Sequence, residues 1–159
     1  MKRTLIEAAR RYVNELLIAL QYHYYHQYNH ALEVMERAVY LAKEEGLSPA
    51  DQEMLALAGL FHDTGFVIEY EKNEPIGAKI AANYLRSTLY PEDKVACIER
   101  MILATDPDYN TPADIYESII KDADLDNLGR EDFFDTNSNL RSELEAVKKI
   151  KILDPQWRH

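Results

Sequence analysis

Apolar side chains recur along this chain at steps of three and four. Leu32, Met35, Val39 and Ala42 mark one such stripe, and Ile115, Ile119 and Leu125 mark another with Asp122 as a polar interruption. No segment alternates with the period of two that a half-buried strand requires, so the pattern predicts an all-α protein. Helices are expected near residues 4–22, 28–45, 49–62, 75–89, 92–104, 112–128 and 138–152, a bundle of six to seven. The punctuation agrees. Thr4 with Glu7 forms a capping-box pattern. Ser48-Pro49-Ala50-Asp51 and Thr111-Pro112-Ala113-Asp114 repeat one start signal: a capping hydroxyl, proline in the first turn, then an acid facing the helix dipole. Pro75 and Pro91 announce two further starts, and Gly46 and Gly129 sit where helices should stop.

A chain of 159 residues, 47% hydrophobic, is long enough for one domain with a substantial core, and no low-complexity tract, internal repeat or long polar linker divides it. A single domain over 1–159 is therefore expected. The 28 acidic against 18 basic side chains give a net charge of −10, which disfavours general binding to nucleic acid. One cysteine, Cys97, fits a reducing compartment. The apolar run Met54–Phe61 falls far short of the roughly 20 residues that span a bilayer, and MKRTLIEAARRYV lacks the core of a signal peptide. A cytoplasmic protein without membrane attachment is the expectation.

Chemistry enters at Leu60-Phe61-His62-Asp63-Thr64-Gly65-Phe66. Here an imidazole and a carboxylate close the apolar run MLALAGLF, which must be buried. Alone, such a pair is a helix-terminal histidine beside a solvated acid. At the edge of a core, an unpaired charge costs several kcal/mol unless a partner or a metal neutralises it. Neighbours on a helix point about 100° apart, so His62 and Asp63 converge only if the helix is ending, and Thr64-Gly65 supplies an ending. Partners are available elsewhere. Tyr25-His26-Gln27-Tyr28-Asn29-His30 places two histidines four apart, and Lys121-Asp122-Ala123-Asp124-Leu125-Asp126 hangs acids on an otherwise apolar helix. Imidazole with carboxylate suits zinc, iron, manganese or magnesium.

In their order, these residues resemble the HD superfamily of metal-dependent phosphohydrolases: an early histidine, His-Asp closing a middle helix, then a late aspartate. The resemblance runs from Tyr25 to Gly129 and implies His30, His62, Asp63 and Asp124 as ligands of one divalent ion. Four polar residues at a core edge otherwise need four separate explanations. YHQYNHALEV is similar to the histidine motif of cyclic-nucleotide phosphodiesterases, which implies His26 as proton donor to the leaving oxygen; a structural histidine packed among Tyr22, Tyr24, Tyr25 and Tyr28 is the alternative. NEPIGAKIAANYL looks like the helix after the His-Asp turn in small bacterial members. Asn73 and Glu74 thereby become substrate-contact candidates, and Thr105, ending ILAT, resembles a family position near the pocket; helix cap and helix stop are the competing readings of Glu74 and Thr105. Lys79 and Lys121 are weaker candidates for gripping phosphate.

Members with two ions add histidines between the His-Asp pair and the late aspartate. This chain has none from 64 to 158, so a second fully ligated ion is not expected. The resemblance implies hydrolysis of a phosphomonoester or phosphodiester in a nucleotide or similar small molecule, with Asp63 orienting the attacking water. Two alternatives stand beside it: a non-catalytic metal- or nucleotide-binding module with a sensing or regulatory role, and a two-iron oxygenase, which the scarcity of histidines disfavours. Helical domains of this size often pair, so a homodimer is a further option.

Overall fold

The computed structural model describes residues 2–18, 28–68 and 71–125. They form α1 (Lys2–Leu17), α2 (Tyr28–Glu44), α3 (Pro49–Phe61), a short 3-10 turn (Thr64–Val67), α4 (Glu74–Ser87), α5 (Glu92–Ala104) and α6 (Ile115–Leu125). Among the described residues there is no strand, and the all-α expectation holds. The helix expected at 138–152 and the stop at Gly129 lie outside the described residues.

α3 is the axis of the fold. Every residue from Met54 to Phe61 is buried, so this helix is apolar all round and needs neighbours on every side. It has them, packing against α1, α2, α4, α5 and α6. It crosses α2 closely at Gly59, where an added Cβ would sit 2.9 Å from the backbone of Met35. Ser48 starts the helix as predicted, its hydroxyl accepting from the Asp51 N–H at 3.1 Å, with Pro49 in the first turn. α2 also ends as predicted. Gly46 adopts φ +72°, and the N–H groups of Gly46 and Leu47 reach back to the carbonyls of Lys43 and Ala42. After α4 the same two-bond closure forms with Leu89 at φ 62°, without a glycine.

Three expectations need correction. α1 already runs from Lys2, so Thr4 lies inside the helix rather than capping it. α6 begins at Ile115, and its start is capped by Asp114, whose Oδ1 accepts from the Glu117 N–H at 3.0 Å, not by Thr111. The buried face of α6 is Glu117, Ile119, Ile120 and Ala123, whereas Ile115 and Leu125 are exposed. The stripe drawn through 115, 119, 122 and 125 is thus rotated from the face that packs, because a carboxylate occupies one of the interior positions.

That carboxylate is well satisfied. Glu117, 1% exposed, accepts from the Tyr109 hydroxyl (2.5 Å), the Ala113 N–H (2.9 Å) and Arg100 Nη1 (2.5 Å), and Arg100 also donates to Asp114 at 2.6 Å. Burial pushes Glu117 and Asp114 upward, but these donors outweigh it and hold both below the ordinary carboxylate range. A carboxyl group whose folded pKa is depressed stabilises fully above its unfolded value, about 4, and loses that contribution as pH falls through the folded value. Thermal melts are therefore expected to show a falling midpoint below about pH 4.5. Glu117→Gln should flatten part of that fall; an identical profile for the variant would contradict the assignment.

Candidate metal centre

Three helices deliver the polar side chains to one point. α3 stops at Phe61 because the chain continues through His62 (φ −60°, ψ −29°) and Asp63 (φ −104°, ψ 6°) into the 3-10 turn rather than a left-handed exit. Thr64 locks this turn by donating its hydroxyl to the Phe61 carbonyl at 2.8 Å. The tightening brings His62 and Asp63 to the same side. Gly65 contributes closeness rather than unusual dihedrals, since its Cα packs directly on the Asn73 carbonyl and the Gly77 N–H at the start of α4.

His62 is 1% exposed, and its Nδ1 donates to the Gly59 carbonyl at 2.7 Å. A carbonyl can only accept, so Nδ1 carries a proton and Nε2 is the atom presented to the site. There Nε2 lies 3.1 Å from Asp124 Oδ1 and 3.2 Å from Asp63 Oδ2. His30, buried in the first turn of α2, brings its own Nε2 to 3.2 Å from Asp124 Oδ1 and 3.6 Å from Asp63 Oδ2. The two imidazoles meet edge to face, 5.4 Å between centroids. Ligand atoms of His30, His62 and Asp124 all fall within 4.8 Å of one another.

These separations fit a cation. Ligands about 2.1 Å from one ion, at angles between octahedral and tetrahedral, stand roughly 3.0 to 3.4 Å apart. Two imidazole nitrogens with carboxylate oxygens form a borderline-to-hard donor set, suited to zinc, manganese or iron rather than to soft ions. The fixed tautomer of His62 adds the outer hydrogen bond that metal-binding histidines normally make. Without a cation the group behaves as an ion-pair cluster. Burial pushes His62 down, but Asp63 and Asp124 override it and hold the imidazole well above its ordinary pKa. Burial pushes Asp124 up, but His62 and His30 drive it far below the ordinary carboxylate range.

The remaining predicted residues separate. His26 lies outside the described residues. Asn73 is buried at the start of α4, and its carbonyl accepts from the Gly77 N–H at 2.9 Å. Glu74 opens α4 half-buried, and burial with the nearby charges of Asp106 and Asp63 pushes its carboxyl above the ordinary range. Thr105 ends α5, its hydroxyl donating to the Ile102 carbonyl at 2.7 Å, which is the helix-stop alternative. Lys121 directs Nζ to the carbonyls of Ala104 (2.8 Å) and Asp106 (3.3 Å), so it caps α5. Lys79 is exposed on α4.

Sequence reasoning passed over Asp106 and Gly59, whose parts depend on how separate helices approach. It also passed over Glu117, whose only signal was an acid among the isoleucines of α6.

The HD domain family model matches residues 28–126, a segment that contains all four converging side chains and more than half of the chain. Comparison with curated proteins and with solved structures returned no match. No helix among the described residues is long and apolar enough to cross a membrane. The ordered histidines and aspartates, the helices that carry them and the extent of the match agree: the chain belongs to the HD domain family.

Proposed function

We propose that this chain is a metal-dependent phosphohydrolase acting on a phosphomonoester or phosphodiester bond of a nucleotide or similar small molecule. The observation that carries this reading is the meeting of His30 Nε2, His62 Nε2 and Asp124 Oδ1 within 4.8 Å, with Asp63 Oδ2 at 3.2 and 3.6 Å from the two nitrogens. A divalent ion bound there supplies a Lewis acid for phosphoryl oxygens and lowers the pKa of water from 15.7 toward about 7.

The chain's own groups do the rest. His30, His62 and Asp124 hold the ion, their orientation fixed by α2, α3 and α6. Asp63 stands beside them, and its carboxylate can accept a hydrogen bond from the attacking water and aim it. Glu74, its carboxyl raised by burial and by Asp106 and Asp63, can retain a proton to higher pH than an ordinary glutamate and serves substrate or leaving group at the rim. His26 is the second candidate proton donor and rests on the family likeness alone. A net charge of −10 repels an anionic substrate, and Lys121 is engaged with carbonyls; the metal centre itself supplies local attraction for phosphate.

The test is direct. The purified full chain is assayed for bound metal and screened against phosphatase and phosphodiesterase substrates with added manganese, magnesium or zinc. Turnover that appears with metal, vanishes with chelator and returns on reloading is expected. Metal or nucleotide binding without turnover on any phosphate ester would instead favour the non-catalytic module.

A further inference from the structure

The described part of α6, Ile115–Leu125, is tied to its neighbours by polar contacts as well as by apolar packing. Glu117, Lys121 and Asp124 stand at positions i, i+4 and i+7 and so share one face. Lys121 hooks that face to the end of α5, and Glu117 anchors it to Arg100 in the middle of α5. Asp124 then emerges between His30 and His62, about 10 Å along the helix from Glu117. Slipping α6 by one residue would move Asp124 by about 1.5 Å and turn it by about 100°, taking Oδ1 away from both imidazoles.

A buried ion pair is a poor way to stabilise a helix, because desolvation cancels much of the attraction, yet it can impose one register where apolar side chains allow several. Ile119, Ile120 and Ala123 supply the apolar contact of α6 and would tolerate small displacements. Glu117 would not, because its two oxygens meet three donors that come from the middle of α5 and from the segment between α5 and α6.

We propose that Glu117 is a positioning residue of the metal centre: bound by Arg100, Tyr109 and the Ala113 N–H, it fixes the register of α6 that places Asp124 between His30 and His62. The proposal rests on reading those three residues as a metal centre and does not depend on which phosphate ester is cleaved.

The experiment compares the full chain with Glu117→Leu and Glu117→Gln. Manganese affinity is measured by calorimetric titration, and stability of the metal-free protein by chemical denaturation. Glu117→Leu is expected to weaken manganese binding 10- to 100-fold, the range seen when supports of metal ligands are lost, and to lower the unfolding midpoint as well, because the donors from Arg100, Tyr109 and Ala113 lose their acceptor. Glu117→Gln, which keeps volume and part of the hydrogen bonding, is expected to weaken it at least threefold. A third readout needs no metal: the imidazole nitrogen resonances of His30 and His62 in Glu117→Leu should move toward those of Asp124→Ala. If wild-type protein binds no manganese, the metal-centre reading fails and these resonances alone decide the register role. Folded variants with wild-type affinity and unchanged resonances would overturn the proposal. So would failure of both variants to fold, which would make Glu117 a folding residue only.

Discussion

Asp124→Ala is expected to abolish the proposed metal binding and hydrolysis together, whereas Asp63→Ala is expected to remove hydrolysis and leave much of the binding. Asp124 Oδ1 lies close to both imidazole nitrogens, at 3.2 Å from His30 and 3.1 Å from His62. It is also the only carboxylate in the group whose ligand atoms lie within 4.8 Å of one another among the described residues. Without it the two imidazoles and the Asp63 carboxylate remain, the latter 3.2 Å from His62 but 3.6 Å from His30, and affinity should fall by well over the 100-fold that loss of an outer support brings. Hydrolysis should then fall at least about 10³-fold in kcat/KM. Asp63 is set back, 3.6 Å from His30, and its loss leaves two nitrogens and the Asp124 carboxylate in place. The expected signature of Asp63→Ala is a metal affinity reduced about tenfold or less, with kcat reduced about 10²-fold or more. Equal loss of affinity in both variants would make Asp63 a ligand of the same rank as Asp124. Metal-free Asp124→Ala should remain folded, since a partly exposed carboxylate is lost and His62 can return to a neutral imidazole donating to Gly59.

Much of this site was readable from the chain because the elements that carry it are locally specified. Ser48-Pro49 and Pro91 fix the starts of α3 and α5 within their own turns, and the continuous run Met54–Phe61 can only be a central helix. His62-Asp63 follows that run directly, so its position at the core edge comes from the same pattern. Other features depend on distances between helices, which no local pattern records. Glu117 drew no reading at all, and the stripe was drawn through Ile115 and Leu125, both exposed, with Asp122 as its polar interruption. Thr111 looked like a cap, but Asp114 takes the role because Glu117 pulls the Ala113 N–H to itself at 2.9 Å. Thr105 and Lys121 looked free to meet substrate, yet each satisfies backbone carbonyls at the end of α5. Unsatisfied helix ends compete for polar side chains as strongly as ligands do.

The contact between the His-Asp turn and α4 supplies the largest expected stability effect. Gly65 faces the Asn73 carbonyl so closely that a Cβ would collide with its oxygen and stand 2.9 Å from both Asn73 C and Gly77 N. All three obstacles are backbone atoms, so no side-chain rotation relieves them, and Gly65→Ala must push α4 off the turn. A cost of about 3 kcal/mol or more is expected, against a usual total stability of about 5–15 kcal/mol. In a chain of this size that corresponds to roughly 6–12 °C of melting temperature. Two other glycines calibrate the claim. Gly46→Ala meets nothing within 4 Å but must hold φ +72°, which costs about 1–2 kcal/mol. Gly77→Ala makes contacts of 3.3–3.4 Å with Gly65, His62 and Phe61 and should cost least. Calorimetric melts of the three variants should therefore rank Gly65 first, Gly46 second and Gly77 last. Because Asp63 and Glu74 sit on the two sides of the displaced contact, Gly65→Ala should also lower turnover at temperatures where it stays folded. A Gly65→Ala protein as stable and active as the parent would mean that α4 does not press on the His-Asp turn as closely as described.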